Sequence, residues 1–211
     1  MMVTRRGWNA AWLAAAIAML ALLQGCSLTR PAPIKGTYVL EPPFPPAVAR
    51  SQAGMLRVGT TVIAAPYRGR AFVFRETELK YETDYYHEFL VAPSANIGEA
   101  TARALAGAKV FERVAPSGVL ADADWVLESF VNALYGDIRD KAKPAVVLSI
   151  TYFLRRGDSD SGVPIWSTTY DRRVAFVPGS AAAYVTALNT ALGEILADLA
   201  RDLAAAPLPA K

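Results

Sequence analysis

The sequence predicts a layered α/β domain, α+β in character, with two helices packed on a mixed, mostly antiparallel sheet. Three observations lead there. Stretches with a two-residue apolar period recur from residue 55 onward, the longest at 125–135, 146–154 and 165–177. Two stretches, after Pro93 and after Ser180, change to a period of three and four. The resulting order is strands, helix, strands, helix, which needs one parallel crossover and a run of antiparallel neighbours in one sheet.

Taken in order, Tyr38-Val39-Leu40 is an apolar island in a proline-rich stretch, placed to pair with a sheet edge. Met55 to Ala64 reads as a strand with Leu56, Val58, Thr60 and Val62 on one face. Ala71 to Arg75 and Leu79 to Glu82 form a hairpin across Glu76-Thr77-Glu78. The first helix is capped at Ser94 or Asn96, with Glu99 completing a capping box. Its stripe is Ile97, Thr101, Ala104, Leu105 and Ala108, and Gly107 lies near its end. A short strand over 110–114 and a turn at Pro116–Gly118 follow. In the next strand Val126, Glu128, Phe130, Asn132 and Leu134 share one face; Trp125, Leu127, Val131 and Tyr135 share the other. Polar connections then join it to the two remaining long strands, as antiparallel neighbours require. Ser180 caps the last helix, whose stripe is Tyr184, Leu188, Ala191, Ile195, Leu199 and Leu203.

The N-terminus has a separate logic. Arg5 and Arg6 precede an apolar run from Ala10 to Leu23, and Leu23-Gln24-Gly25-Cys26 ends it at the only cysteine. A basic start, a short apolar core and small residues before a cut describe a secretory signal; a cut just before cysteine describes a lipobox. The run falls short of the roughly 20 residues that a spanning helix needs. Cys26 is thus expected to become the first mature residue and to carry acyl chains, palmitate among them. Several chains are needed, because a single one holds a membrane only marginally. The residue after it is Ser27, not the aspartate associated with retention in the inner membrane. The expected organisation is a signal peptide over 1–25, a proline-rich tether over 26–54, one domain over 55–206 and a disordered tail over 207–211.

Composition argues against several functions. The formal net charge of +3 loses Arg5 and Arg6 with the leader, so the rest is near neutral and makes no case for nucleic acid. His87 is the only histidine, no G-x-S-x-G elbow occurs, and no cysteine or histidine spacing suits zinc. The loop beginning at Asp158 has Val163 and Thr169 where a calcium loop needs Gly and Glu. These readings predict no enzyme, no cofactor and no metal, and give His87 no assigned role. The seven aromatics between Tyr67 and Phe89 stand out. They either complete the core and its rim or form a surface for a partner protein or an acyl chain. The candidates for that surface are Phe72, Phe74, Arg75, Tyr81, Tyr85, Tyr86 and Phe89.

The order lipobox, Tyr38-Val39-Leu40, Leu56-Arg57-Val58 resembles the auxiliary lipoproteins of ABC-type transport systems, the PqiC/YmbA-like group. Phe72-Val73-Phe74-Arg75 is similar to that family's strand ending in V-Y-R. Tyr85-Tyr86-His87-Glu88-Phe89 before Pro93 is similar to its Y-x-x-x-W…P segment, with Phe89 at the Trp position. Ala123-Asp124-Trp125-Val126-Leu127 is similar to its A-D-Y-x-L. The resemblance spans nearly the whole mature chain. It implies a fold similar to anticodon-binding-like and TolB N-terminal domains. It also implies a non-catalytic periplasmic lipoprotein, anchored at the inner leaflet of the outer membrane. Its partner would be the MCE-domain protein of a (phospho)lipid transporter, with permease and ATPase reached indirectly; homo-oligomerisation stays open. Two other readings remain at this stage, an outer-membrane assembly lipoprotein of the LptE type and a lipid-anchored cell-wall enzyme.

Overall fold

The computed structural model describes residues 35–115, 119, 122–158 and 162–209. The signal peptide, Cys26, Pro31, Pro33 and the Pro116–Gly118 turn lie outside the described residues. Lys35 to the C-terminus forms one compact unit. Its elements are β1 (Gly36–Tyr38), β2 (Gln52–Ile63), a 3-10 turn (Ala65–Tyr67), β3 (Ala71–Arg75), β4 (Tyr81–Phe89), α1 (Pro93–Gly107), β5 (Phe111–Ala115), β6 (Trp125–Asp137), β7 (Ala145–Arg156), β8 (Trp166–Ala175) and α2 (Ala181–Ala205).

All eight strands among the described residues join one sheet, and β6 is its spine. On one side β7 pairs antiparallel with β6 along its whole length, and β8 pairs antiparallel with β7. The other side of β6 is shared by two strands in series: β2 from Trp125 to Val131, then β3 at Gly136 and Asp137, both parallel. β5 lies outside β2, and the β3–β4 hairpin carries β1 on its far edge. The longest ladders are antiparallel, as the sequence implies. Parallel pairing, however, goes beyond the single crossover expected, because β1, β2 and β3 each take a parallel neighbour.

Two bulges correct the strand faces read from alternation. One residue extra in β2 between Val58 and Thr61 leaves Leu56 and Val58 in the core but turns Ile63 inward and exposes Thr60 and Val62. Asn132 is the extra residue of β6. Beyond it Leu134 joins the core, while Tyr135 turns to the face opposite Leu134 and stacks on Tyr67. The bulged Asn132 amide donates to Ser149 and Thr151 of β7, so the irregularity is tied down by side chains.

α1 and α2 pack on the sheet with their expected stripes buried. Tyr184, Leu188, Ala191, Ile195, Leu199 and Leu203 are all essentially inaccessible. The Ser180 hydroxyl caps α2 by accepting from the Ala183 N–H at 3.1 Å. At the other end the Gln52 amide donates to the Leu203, Ala204 and Ala206 carbonyls, which lie beyond the last regular bonds of the helix. The capping box expected for α1 does not form. Its N-cap is Ala92 with Pro93 in the first turn, and buried Asn96 instead accepts from the Leu40 N–H at 3.0 Å. The turn out of α1 places Lys109 in the left-handed region (φ 55°).

The stretch expected as free tether up to residue 54 is part of the packed unit from Lys35 on. Prolines remove backbone donors but leave side chains free to bury. Leu40 and Pro42 are buried, and the Glu41 N–H donates to Asn189 of α2 at 2.9 Å. Pro43 crosses α2 at Gly193, where a Cβ would fall 2.6 Å from the Pro43 ring. The chain end is likewise less free than expected, since Leu208 packs against the core. Gly193→Ala is therefore expected to lift this strap despite gaining roughly 1 kcal/mol of helix propensity. Amide exchange at Glu41 should accelerate relative to the α2 core; unchanged protection there would show that the strap does not depend on this contact.

Candidate functional site

The β3–β4 hairpin divides the predicted aromatic surface into a buried and an exposed half. Phe72 (0 % exposed) and Phe89 (2 %) are core residues, with ring centres 4.8 Å apart, and Phe72 also packs on Tyr184 at 4.8 Å. Neither is available to a partner, which removes both from the candidate surface. The reason is register: alternation keeps them under the sheet beside Tyr38 and His87. Phe74 is half-buried. Leu79, expected to begin the second arm of the hairpin, stands exposed in the turn, and that arm, β4, runs from Tyr81 on to Phe89.

Tyr85 and Tyr86 point the other way. Pairing of β3 with β4 shifts between Ala71 and Val73, and the extra β4 residues sit around Asp84, Tyr85 and Tyr86. The Asp84 carboxylate holds this bulge, accepting from the Tyr86 and His87 N–H groups at 2.7 and 3.1 Å and contacting His87 Nδ1 at 2.8 Å. The result leaves Tyr85 64 % and Tyr86 52 % exposed, edge to face at 5.3 Å, with Lys35 above the Tyr85 ring. Val39, Leu90 and Val91 lie exposed along the same β1–β4 edge, so the apolar surface extends past the two tyrosines.

Tyr81 and Arg75 belong to a second cluster, on the face of the sheet that Tyr135 occupies. Tyr67 stacks on Tyr135 at 5.8 Å, Tyr81 meets Tyr135 edge-on at 5.6 Å, and the Arg75 guanidinium lies over Tyr81. Burial, reinforced by Tyr81, pushes the Tyr67 phenol up to about 12. A charge network ties this cluster to the sheet. Arg75 pairs with Glu78, Glu78 with Arg139, and Arg139 and Arg173 both donate to buried Asp137. Hydrogen bonds from Arg139, with further help from Arg173, hold the Asp137 carboxyl well below the ordinary range against the opposing effect of desolvation.

Next to the bulge lies a cleft of about 420 Å³ that sequence reasoning did not find. Asp84 and His87 border it from β4, Phe74 from β3, Ile138, Lys141 and Pro144 from the β6–β7 connection, and Phe176, Pro178, Gly179 and Ser180 from the β8–α2 connection, with Ala181 at the head of α2. Three chain segments far apart in sequence build it, so no local motif marks it. The nearest signal is the apolar Phe176-Val177-Pro178 immediately before the Ser180 cap. Behind its wall is the Tyr184 hydroxyl, a buried polar atom with no hydrogen-bond partner. Its ring packs on Phe74 and Phe176 at 5.2 and 5.6 Å, and burial raises its phenol pKa strongly. Among the described residues no three metal-ligating side chains gather, and no helix is long and apolar enough to cross a membrane.

This fold has solved counterparts. A Xanthomonas campestris protein described as DUF330 superposes with a TM-score of 0.69, at 18% identity over 80% of this chain and 95% of its own. The chain shares that protein's fold. A second crystal structure, of an uncharacterized protein, superposes at 0.62 with 15% identity over 81% of this chain and 99% of its own. No family model matches the sequence, nor does any curated protein.

Two substitutions probe the site. Asp137 has a depressed folded-state pKa, so its contribution to stability is present above the unfolded value of about 4 and is lost as pH falls through the folded one. Asp137→Asn should cost about 2–3 kcal/mol at pH 7, as loss of charged hydrogen bonds does, and flatten the loss of stability below pH 4 in urea titrations. Tyr184→Phe removes an unsatisfied buried hydroxyl and is expected to leave stability unchanged or raise it by about 1 kcal/mol. A loss of that size would mean that the hydroxyl is satisfied in solution.

Proposed function

We propose that this protein is a non-catalytic, lipid-anchored component of a (phospho)lipid transport system of the ABC/MCE type. It would act in the periplasm from the inner leaflet of the outer membrane. The observation that carries the reading is the Asp84-pinned bulge, which holds two adjacent tyrosines in solvent on β4, just ahead of the residues that pair with the short edge strand β1. Exposing two large rings forgoes their burial, about 1.5–3 kcal/mol for a large apolar side chain, and such rings are enriched where proteins meet. The lipobox at Cys26 and the segment resemblances support the same reading, and the shared DUF330 fold agrees with it. Cys26 supplies location, the tyrosine edge supplies contact, and the MCE-domain protein is the partner.

Crosslinking in intact cells followed by purification tests the partner. Recovery of an MCE-domain protein is the expected result; recovery of an outer-membrane barrel instead would replace this reading with that of an assembly lipoprotein. Peptidoglycan hydrolysis by purified protein would overturn the non-catalytic part. Replacing Tyr85 and Tyr86 with Ala should lower partner recovery by about tenfold, equivalent to about 1.4 kcal/mol. The melting temperature should barely move, as for exposed positions generally. Phe72→Ala, by contrast, should destabilise the domain by about 3–5 kcal/mol.

A further inference from the structure

We propose that the cleft beside the bulge holds one acyl chain of an anionic phospholipid, its phosphate at Lys141 and the N-terminus of α2. This rests on the transport reading above and adds a lipid site to it. The walls are the first ground: Phe74, Ile138, Phe176 and Pro178 make an open apolar trough of about 420 Å³. That lies within the roughly 300–1,000 Å³ of small-molecule sites and suits one chain, not a whole two-chain lipid.

Charge at the rim is the second ground. Lys141 has no ion pair or hydrogen bond among the described residues. The first turn of α2 carries no acidic side chain, and the Ala181 and Ala182 N–H groups that head the helix have no partner within it. Free N–H groups and the positive end of a 25-residue helix favour a phosphate. Asp84 is the opposing charge on the cleft, but His87 and two backbone N–H groups already engage its carboxylate.

Tyr184 backs the wall from behind. Its ring rests on Phe74 and Phe176, and its hydroxyl is fully buried and does not line the cleft, so packing alone holds the trough in shape.

The test uses the full chain in cells grown on ³²P-phosphate, with Ile138 or Thr169 replaced by photoreactive p-benzoylphenylalanine. Ultraviolet light should attach ³²P-lipid at position 138 and not at 169, which lies on the strand face that carries Thr151. Lys141→Glu should lower the label by about tenfold, and Lys141→Arg should retain it. Label absent at 138, equal label at both positions, or a protein crosslinked at 138 in its place would overturn the site. Partner recovery measured on the same cells separates the two ideas. An MCE-domain protein recovered without lipid label removes the cleft and spares the docking reading; label without that partner does the reverse.

Discussion

Along one edge of β6 the backbone pairs first with β2 and then, after a gap of four residues, with β3, so a single strand edge orders two others in series. The arrangement works only because the chain between them folds into the Ala65–Tyr67 turn and gives the Ala64 N–H to the Val131 carbonyl. It also needs room where β3 arrives. A Cβ on Gly136 would fall 2.6 Å from the Phe74 ring and 3.1 Å from that of Tyr184. That glycine therefore lets β3, β6 and α2 meet at one corner of the domain. The cleft and the tyrosine bulge both sit on the hairpin that this corner places.

Much of this architecture was legible in the residues. Helix stripes survived intact, because an amphipathic face in a long helix is set by its own period. The Ser180 cap was legible for the same reason, since its partner is three residues away. Strand faces were legible only up to each bulge. Thr60, Val62, Leu134 and Tyr135 were misplaced because one inserted residue inverts everything beyond it. Asn96 was misread because its partner is Leu40, a long-range contact that no local pattern encodes.

The candidate surface shows the same divide. Tyr85 and Tyr86 stood out by density, and the structure leaves them in solvent. Phe72 and Phe89 stood out equally and are core, since composition does not distinguish two sides of a strand. The cleft escaped notice because its walls come from the β3–β4 hairpin and from two connections far along the chain, which no local period brings together. The buried carboxylate at Asp137 was also unmarked; Arg139 lies only two residues on, but the sheet alone brings in Arg173 from β8.

The way the chain enters the domain has a mechanical side. Tension applied at Lys35 meets β1 first, an edge strand of only three paired positions, and then the Asn96 and Asn189 side chains that hold Leu40 and Glu41. Releasing these few bonds frees about six residues, roughly 20 Å of extended chain, while the β6–β7–β8 ladders and the α2 stripe stay closed. The domain thus carries a reserve of reach at its own threshold. A body held to one surface and bound to another can yield there to a changing gap without unfolding.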